Sequence, residues 1–415
     1  MSTCFSGLMC HAPIVLPEVA GSRGAECART TRAMREVAAR AVASRPDRVV
    51  IISPHSPRHR TLWSAWRGRH RGDLGRFRAP QLQVDLPDAA EVADALGLVP
   101  VPHDAGAELD HGAMVPLAFL WQAGWRGPTA ILARPWNAPE ARAVGVELAA
   151  LEGRTAVVAS GDMSHRLKPG APAGYDPRAQ DFDDAFVAGL RAEDWDAALN
   201  AQPRERAAED VIESTRVAMQ AAGAPLNAEV LSYEGPFGVG YAEAVLADPA
   251  PPLYAVARKA IAAAVLGRDA PVPEGGEPTK GVFVTLHKNG RLRGCIGRIT
   301  PTHERSLYDM IAQVAPLSAQ HDPRFPAVSP SELDELDIEV SVLEPPEPVT
   351  DLATLDPRRY GVVVTSGWRR GVLLPDLEGV DTVEQQLRIT RRKAGIRGHE
   401  PVEVERFEVR KVSPP

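Results

Sequence analysis

The sequence predicts an α/β protein whose mixed or largely parallel sheet is flanked by helices, followed by a smaller α+β domain. Three observations carry this. Short apolar runs alternate with helix-length amphipathic segments over residues 1–247, the pattern of a sheet covered on both faces. Several of those runs end on a histidine or a carboxylate, where open α/β sheets collect ligands. The grammar then changes beyond the proline-rich patch Ala247-Asp-Pro-Ala-Pro-Pro252, so domains are expected over 1–247 and 253–415.

In order, residues 26–44 read as a helix and 48–53 as a strand, followed by an Arg/Gly-rich loop over 67–78. Helices are expected near 88–96 and 112–123, a strand at 128–133, a helix at 138–151 and a strand at 154–159. Helices at 178–200 and 204–222 and a strand at 228–233 complete the alternation, with Gly240–Leu246 helix-like and stopped by the prolines. Leu253–Leu266 starts a new amphipathic helix. Beyond it, Gly281–Leu286, Asp337–Leu343, Gly361–Ser366 and Glu403–Val412 read as strands, and Glu304–Val314 and Thr382–Ala394 as helices.

A chain of 415 residues with 44% hydrophobic and 24% charged content is ordinary for a globular protein. A formal charge of −7 argues against a polyanion-binding surface over the whole molecule. The basic loop from Trp66 to Arg78 is therefore expected to be solvated, beside the crevice or as a lid over it. The cysteines Cys4, Cys10, Cys27 and Cys295 form no CxxC pair, which fits a reducing compartment. No basic n-region opens the chain and no apolar run reaches the ~18 residues of a membrane span. A cytoplasmic location is the expectation.

The run-end residues are His11, His55, His165 and Glu234. Two histidines and one carboxylate on adjacent elements make the facial arrangement that suits non-haem Fe(II), leaving the opposite face open. Asp162, in the same turn as His165, is a rival carboxylate; it is either a ligand or a residue that orients an imidazole from behind.

At these residues the chain resembles a known family. The segments Met9-Cys-His11-Ala-Pro, Ser53-Pro-His55-Ser, Leu109-Asp-His111-Gly-Ala-Met, Ser160-Gly-Asp-Met-Ser-His165 and Tyr233-Glu234-Gly-Pro-Phe-Gly-Val-Gly-Tyr241 occur in family order over about residues 1–246. They are similar to the class III extradiol ring-cleavage dioxygenase catalytic subunits (LigB-like), a family that includes the Memo branch. The resemblance implies that His11, His55 and Glu234 hold Fe(II), with zinc or another divalent metal as the alternative. It implies that His165 is the acid/base residue and that His111 donates to bound oxygen or substrate.

Downstream, Gly281–Gly297 reads as a hairpin around an Asn289-Gly290 turn. The glycines flanking Cys295 suggest close backbone approach or a bulge. The motif Leu292-Arg-Gly-Cys-Ile-Gly297, with His321-Asp-Pro-Arg-Phe-Pro326 and Arg392-Lys-Ala-Gly-Ile396, resembles the AMMECR family over about 253–412. That family implies a compact α+β domain without a settled activity. Cys295 reads as a nucleophile if a base or cation such as Arg293, His287 or His303 approaches, or as a small core hydrophobe. Arg293 reads as an anion binder or as a partner of the acids at Glu332–Asp337.

The expected activity is Fe(II)-dependent extradiol cleavage of a catechol-like substrate. A metal-binding adaptor of the Memo kind and a metal-dependent hydrolase remain alternatives. The expected partners are a small aromatic substrate and O2, with no nucleic acid and no membrane; self-association as a homo-oligomer stays open.

Overall fold

A computed structural model describes residues 3–101, 109–137, 142–223, 227–301 and 305–415. The chain divides into two compact units, Met1–Pro249 and Ala250–Pro414. The strands of the first are β1 (Thr3–Met9), β2 (Arg48–Ile52), β3 (Ser64–Ala65), β4 (His70–Leu74), β5 (Ala79–Leu86), β6 (Val99–Pro100), β7 (Thr129–Ala133), β8 (Thr155–Ser160), β9 (Glu229–Glu234) and β10 (Tyr241–Ala247).

Eight of these form one sheet in the order β6-β3-β7-β2-β8-β1-β10-β9. Its centre, β7-β2-β8-β1, is parallel, while β10 runs antiparallel to both β1 and β9. The carboxyl ends of β1, β2, β7, β8 and β9 therefore share one edge. Strands β1, β7, β8 and β10 are buried along their whole length, which is why β7 and β8 read as apolar runs without alternation. One face packs Phe5, Ile51, Met34 and Phe119 beneath the helices Ala28–Ala43 and His111–Gln122. The other packs Leu8, Val50, Phe186 and Val217 beneath Ala179–Arg191 and Val211–Ala222.

Four expectations are corrected here. The helix-like Gly240–Leu246 is strand β10, because it lies fully buried between β1 and β9, and a short apolar run does not fix its own period. The single helix over 178–200 is two, Ala179–Arg191 and Trp195–Leu199, with Asp194 capping the second. The helix over 204–222 also breaks, into Arg204–Ala207 and Val211–Ala222, with Ala208 left-handed at φ 54° between them. The Arg/Gly-rich loop contains strand β4, which pairs with β5 as a hairpin. Its Arg67 pairs with Asp94 at 2.8 Å and Arg69 and Arg71 both pair with Asp85, so these cations are committed within the chain. The expected helix at 138–151 begins outside the described residues and is seen as Arg142–Ala150. Among the described residues no helix is long and apolar enough to cross a membrane.

The second unit opens with the helix Leu253–Leu266 and continues with β11 (Gly281–Lys288), β12 (Arg291–Arg298), β13 (Leu336–Leu343), β14 (Glu347–Pro348), β15 (Gly361–Ser366), β16 (Arg369–Leu373), β17 (Glu403–Phe407) and β18 (Val409–Val412). They make two antiparallel sheets, β12-β11-β13-β18 and β14-β17-β15-β16. The strand expected over Glu403–Val412 is interrupted at Glu408, so its halves join different sheets. The helix expected at 304–314 runs over Leu307–Gln320, started by a reciprocal cap between Ser306 and Asp309. Asn289 and Gly290 both have positive φ, as a two-residue hairpin turn requires. A Cβ at Gly294 would stand 2.1 Å from the Ser318 carbonyl oxygen, so the strand meets the helix Leu307–Gln320 backbone to backbone.

Each unit has its own apolar core. Fragments 1–249 and 250–415 are therefore expected to be soluble and to melt cooperatively when expressed separately, followed by circular dichroism. Aggregation of the first fragment would show that the second completes its core.

Candidate metal centre

The shared edge of carboxyl ends carries the site. His11 follows β1 and is 1% exposed; His55 follows β2 and opens to solvent. His111 is the first residue of the helix His111–Gln122. The ligand nitrogens of these three imidazoles lie within 4.8 Å of one another. His11 and His55 approach Nε2 to Nε2 at 3.1 Å.

Each imidazole is placed by hydrogen bonds that the local sequence supplies. Asp110 caps the helix at the Ala113 N–H and accepts from Ser53 and Ser56, which ties the His55 loop to the His111 helix. The Asp162 carboxylate accepts the backbone N–H of His11 at 2.9 Å. Ser160 donates its hydroxyl to the Gly112 carbonyl at 2.6 Å and lies 3.0 Å from His11 Nδ1. A hydroxyl has one hydrogen, so Ser160 must accept from His11, which puts a proton on Nδ1 and turns the Nε2 lone pair toward the cluster. That tautomer is the one a metal ligand needs. The donor set therefore fits a divalent metal.

The electrostatics agree. Burial alone would lower His11, but the Asp162 and Asp210 carboxylates outweigh it and raise its pKa to about 9. Burial together with the neighbouring His55 and His11 lowers His111 to about 4. Asp210 is buried, which would raise it, yet His11 and His55 hold it well below the usual carboxylate range. Burial raises Asp162, with Asp210 adding to the effect and His11 opposing it. A positive charge is favoured at this point.

His165 is not among the three clustered imidazoles. It lines a cleft of about 540 Å³ together with His55, Asp210, Trp136, Pro57 and Pro172. Its buried Nδ1 has no hydrogen-bond partner. Glu234 is not brought into the cluster either. Its Oε2 accepts from the backbone N–H of Thr30 at 2.9 Å and from the Thr30 hydroxyl at 2.8 Å. Thr30 lies in the first turn of Ala28–Ala43, whose free N–H groups and dipole attract a carboxylate.

The residue that sequence reasoning missed is Asp210, placed inside a helix by the 204–222 reading. The left-handed Ala208 frees it to turn toward the histidines. Gly161 lets it approach: a Cβ there would stand 2.5 Å from Val211 Cα. Backbone cannot yield as a side-chain tip does. Gly161→Ala is therefore expected to destabilise the protein by about 1–3 kcal/mol and to weaken metal binding, read from thermal melts and metal titration. An unchanged melting temperature and affinity would show that the contact is relaxed in solution.

In the second unit, Arg293 pairs with Glu332 through Nε at 3.1 Å and Nη2 at 3.2 Å, and also donates to the Pro326 and Ala327 carbonyls. The acid-pairing alternative is the arrangement seen. Half-buried Cys295 accepts from the Thr285 hydroxyl at 3.3 Å, and its backbone is held by Asp322 and Arg324. His303 lies outside the described residues.

Comparison with known proteins places these observations. Residues 6–244 match the family described as the catalytic LigB subunit of aromatic ring-opening dioxygenase, and residues 254–412 match AMMECR1. Protein CA_C1420 of Clostridium acetobutylicum is 31% identical over 462 aligned residues, covering 97% of each chain. A Thermotoga maritima protein is 56% identical over 131 residues, which is 31% of this chain and 75% of that one. Among solved structures, the uncharacterized protein PH0010 of Pyrococcus horikoshii matches with TM-score 0.36 at 32% identity, covering 39% of this chain and 91% of that chain.

Proposed function

Because the chain belongs to the LigB family of aromatic ring-opening dioxygenase catalytic subunits, with an AMMECR1 domain following, we propose that its first domain is an Fe(II)-dependent oxygenase that opens a catechol-like ring with O2. The observation that carries this reading is the cluster His11, His55 and His111 at the carboxyl edge of the sheet, beside a cleft lined by His55 and His165.

His11 and His55 would hold the metal, and His111 offers a third nitrogen at the same point. Iron held by these residues would supply the redox chemistry and a template for substrate and oxygen. The remaining work belongs to the chain. Ser160 fixes the His11 tautomer and Asp162 fixes its backbone. His111, held neutral by burial and its neighbours, keeps one nitrogen as a donor and one as an acceptor. Trp136, Pro57 and Pro172 give the cleft flat apolar walls suited to an aromatic ring. His165 lines the same cleft, so its imidazole can take a proton from a ring hydroxyl and return it later.

The test is anaerobic reconstitution with Fe(II), followed by oxygen uptake across a panel of catechols. Uptake matched by appearance of a ring-opened, strongly absorbing product is expected for at least one. A metal-loaded protein that consumes no oxygen with any catechol would leave the adaptor reading in its place.

A further inference from the structure

We propose that Asp210 is the carboxylate that completes the metal centre, forming the ligand face with His11 and His55. This rests on the metal-binding reading above and adds a ligand that the sequence motifs do not contain.

The geometry is a triangle. His11 Nε2 and His55 Nε2 are 3.1 Å apart; Asp210 Oδ2 is 3.2 Å from His55 Nε2 and 3.5 Å from His11 Nε2. Donor atoms about 2.1 Å from one ion stand about 3.0 Å apart at right angles and about 3.4 Å apart at tetrahedral angles. The three observed edges match that spacing, so one ion above the triangle reaches all three atoms. Two imidazoles and one carboxylate on a single face is also the donor set that leaves the opposite positions free.

Asp210 is held for this position. Its Oδ1 accepts the Asp162 N–H at 2.7 Å, and its own N–H donates to the Asp162 carbonyl at 3.2 Å. These paired contacts clamp the start of the helix Val211–Ala222 against the turn after β8, and they leave Oδ2 directed at the two imidazoles. The competing carboxylates are otherwise engaged. Asp162 uses Oδ1 on the His11 N–H, and its Oδ2 is 3.7 Å from His11 Nε2, outside the triangle. Glu234 is seated on Thr30.

The discriminating experiment compares anaerobic Fe(II) affinity and stoichiometry, with Co(II) absorption as a second probe, in wild type, Asp210→Asn and Glu234→Gln. The Asn carbonyl can still accept the Asp162 N–H, while its amide nitrogen, a donor only, replaces Oδ2. Replacing partners that merely orient a ligand costs about 10- to 100-fold in affinity. Asp210→Asn is expected to lose more than that and to change the Co(II) spectrum, whereas Glu234→Gln stays within a few-fold of wild type. Wild-type affinity and spectrum in Asp210→Asn, or a large loss in Glu234→Gln, would overturn the assignment and leave the metal-centre reading standing. Should Asp210→Asn fail to fold, Glu234→Gln still decides by the same criterion. A wild-type chain that binds neither ion would overturn both.

Discussion

His11→Ala is expected to bind Fe(II) at least about 100-fold more weakly than the wild-type chain, read by anaerobic titration. The imidazole is buried beneath the cluster, with Nδ1 engaged by Ser160 and Nε2 facing His55 and Asp210. Removing it deletes a donor and leaves Ser160 without its imidazole partner, while Asp162 keeps the backbone N–H of residue 11. Affinity loss should therefore exceed that of any change to an orienting residue. Wild-type metal content in His11→Ala would dismiss the centre as placed here.

The same variant reports on the metal-free protein. Asp162 and Asp210 raise His11 to about 9 against an ordinary 6.5, so the folded state binds its proton more tightly than the unfolded chain. Protonated His11 then contributes stability that is fully present below about pH 6.5 and lost as pH rises through about 9. His55, His111 and Asp110 also face this imidazole and change the size of the effect, not its sign. The melting-temperature gap between wild type and His11→Ala, both stripped of metal, should be widest near pH 6 and narrow toward pH 9. A gap independent of pH would mean that the two carboxylates do not act on His11.

How much of this was legible in the sequence depends on what each residue's position obeys. β1, β2 and β8 were readable because a strand buried on both faces is written as a mostly apolar run, and their ends delivered His11, His55 and the Asp162–His165 turn. β10 was not, because Tyr241–Ala247 is too short for its period to separate strand from helix. Glu234 was found at the end of an apolar run and again by motif, yet neither says whether a carboxylate faces a metal or the first turn of a neighbouring helix. Asp210 was invisible for a different reason. Its position depends on a left-handed alanine, a residue type that gives no warning of positive φ, and on a glycine 49 positions earlier that permits the approach. Such long-range backbone clearances leave no local periodic trace. In the second unit Gly290 and Gly294 did leave one, since the hairpin turn and the close approach to Ser318 demand glycine where they occur.

His165→Ala is expected to keep stoichiometric Fe(II) and to lose turnover by about 10²-fold or more, the range for a lost acid/base group. The imidazole lies outside the cluster of three and presents its ring to the cleft shared by His55 and Asp210. A ring hydroxyl that binds iron must shed its proton, and among the described residues no other imidazole near the cleft is free to receive it. His11 has Nδ1 on Ser160, and His55 faces His11 and Asp210 with Nε2. His111 is held at a pKa of about 4, too weak a base for the task near neutral pH. His165, whose imidazole lines the cleft, is left as the acceptor. If it serves as base and then acid, His165→Ala should flatten the wild-type pH–rate profile and leave Fe(II) affinity within a few-fold. A variant that loses metal along with turnover would place His165 among the ligands, and one that keeps full turnover would pass the proton to solvent.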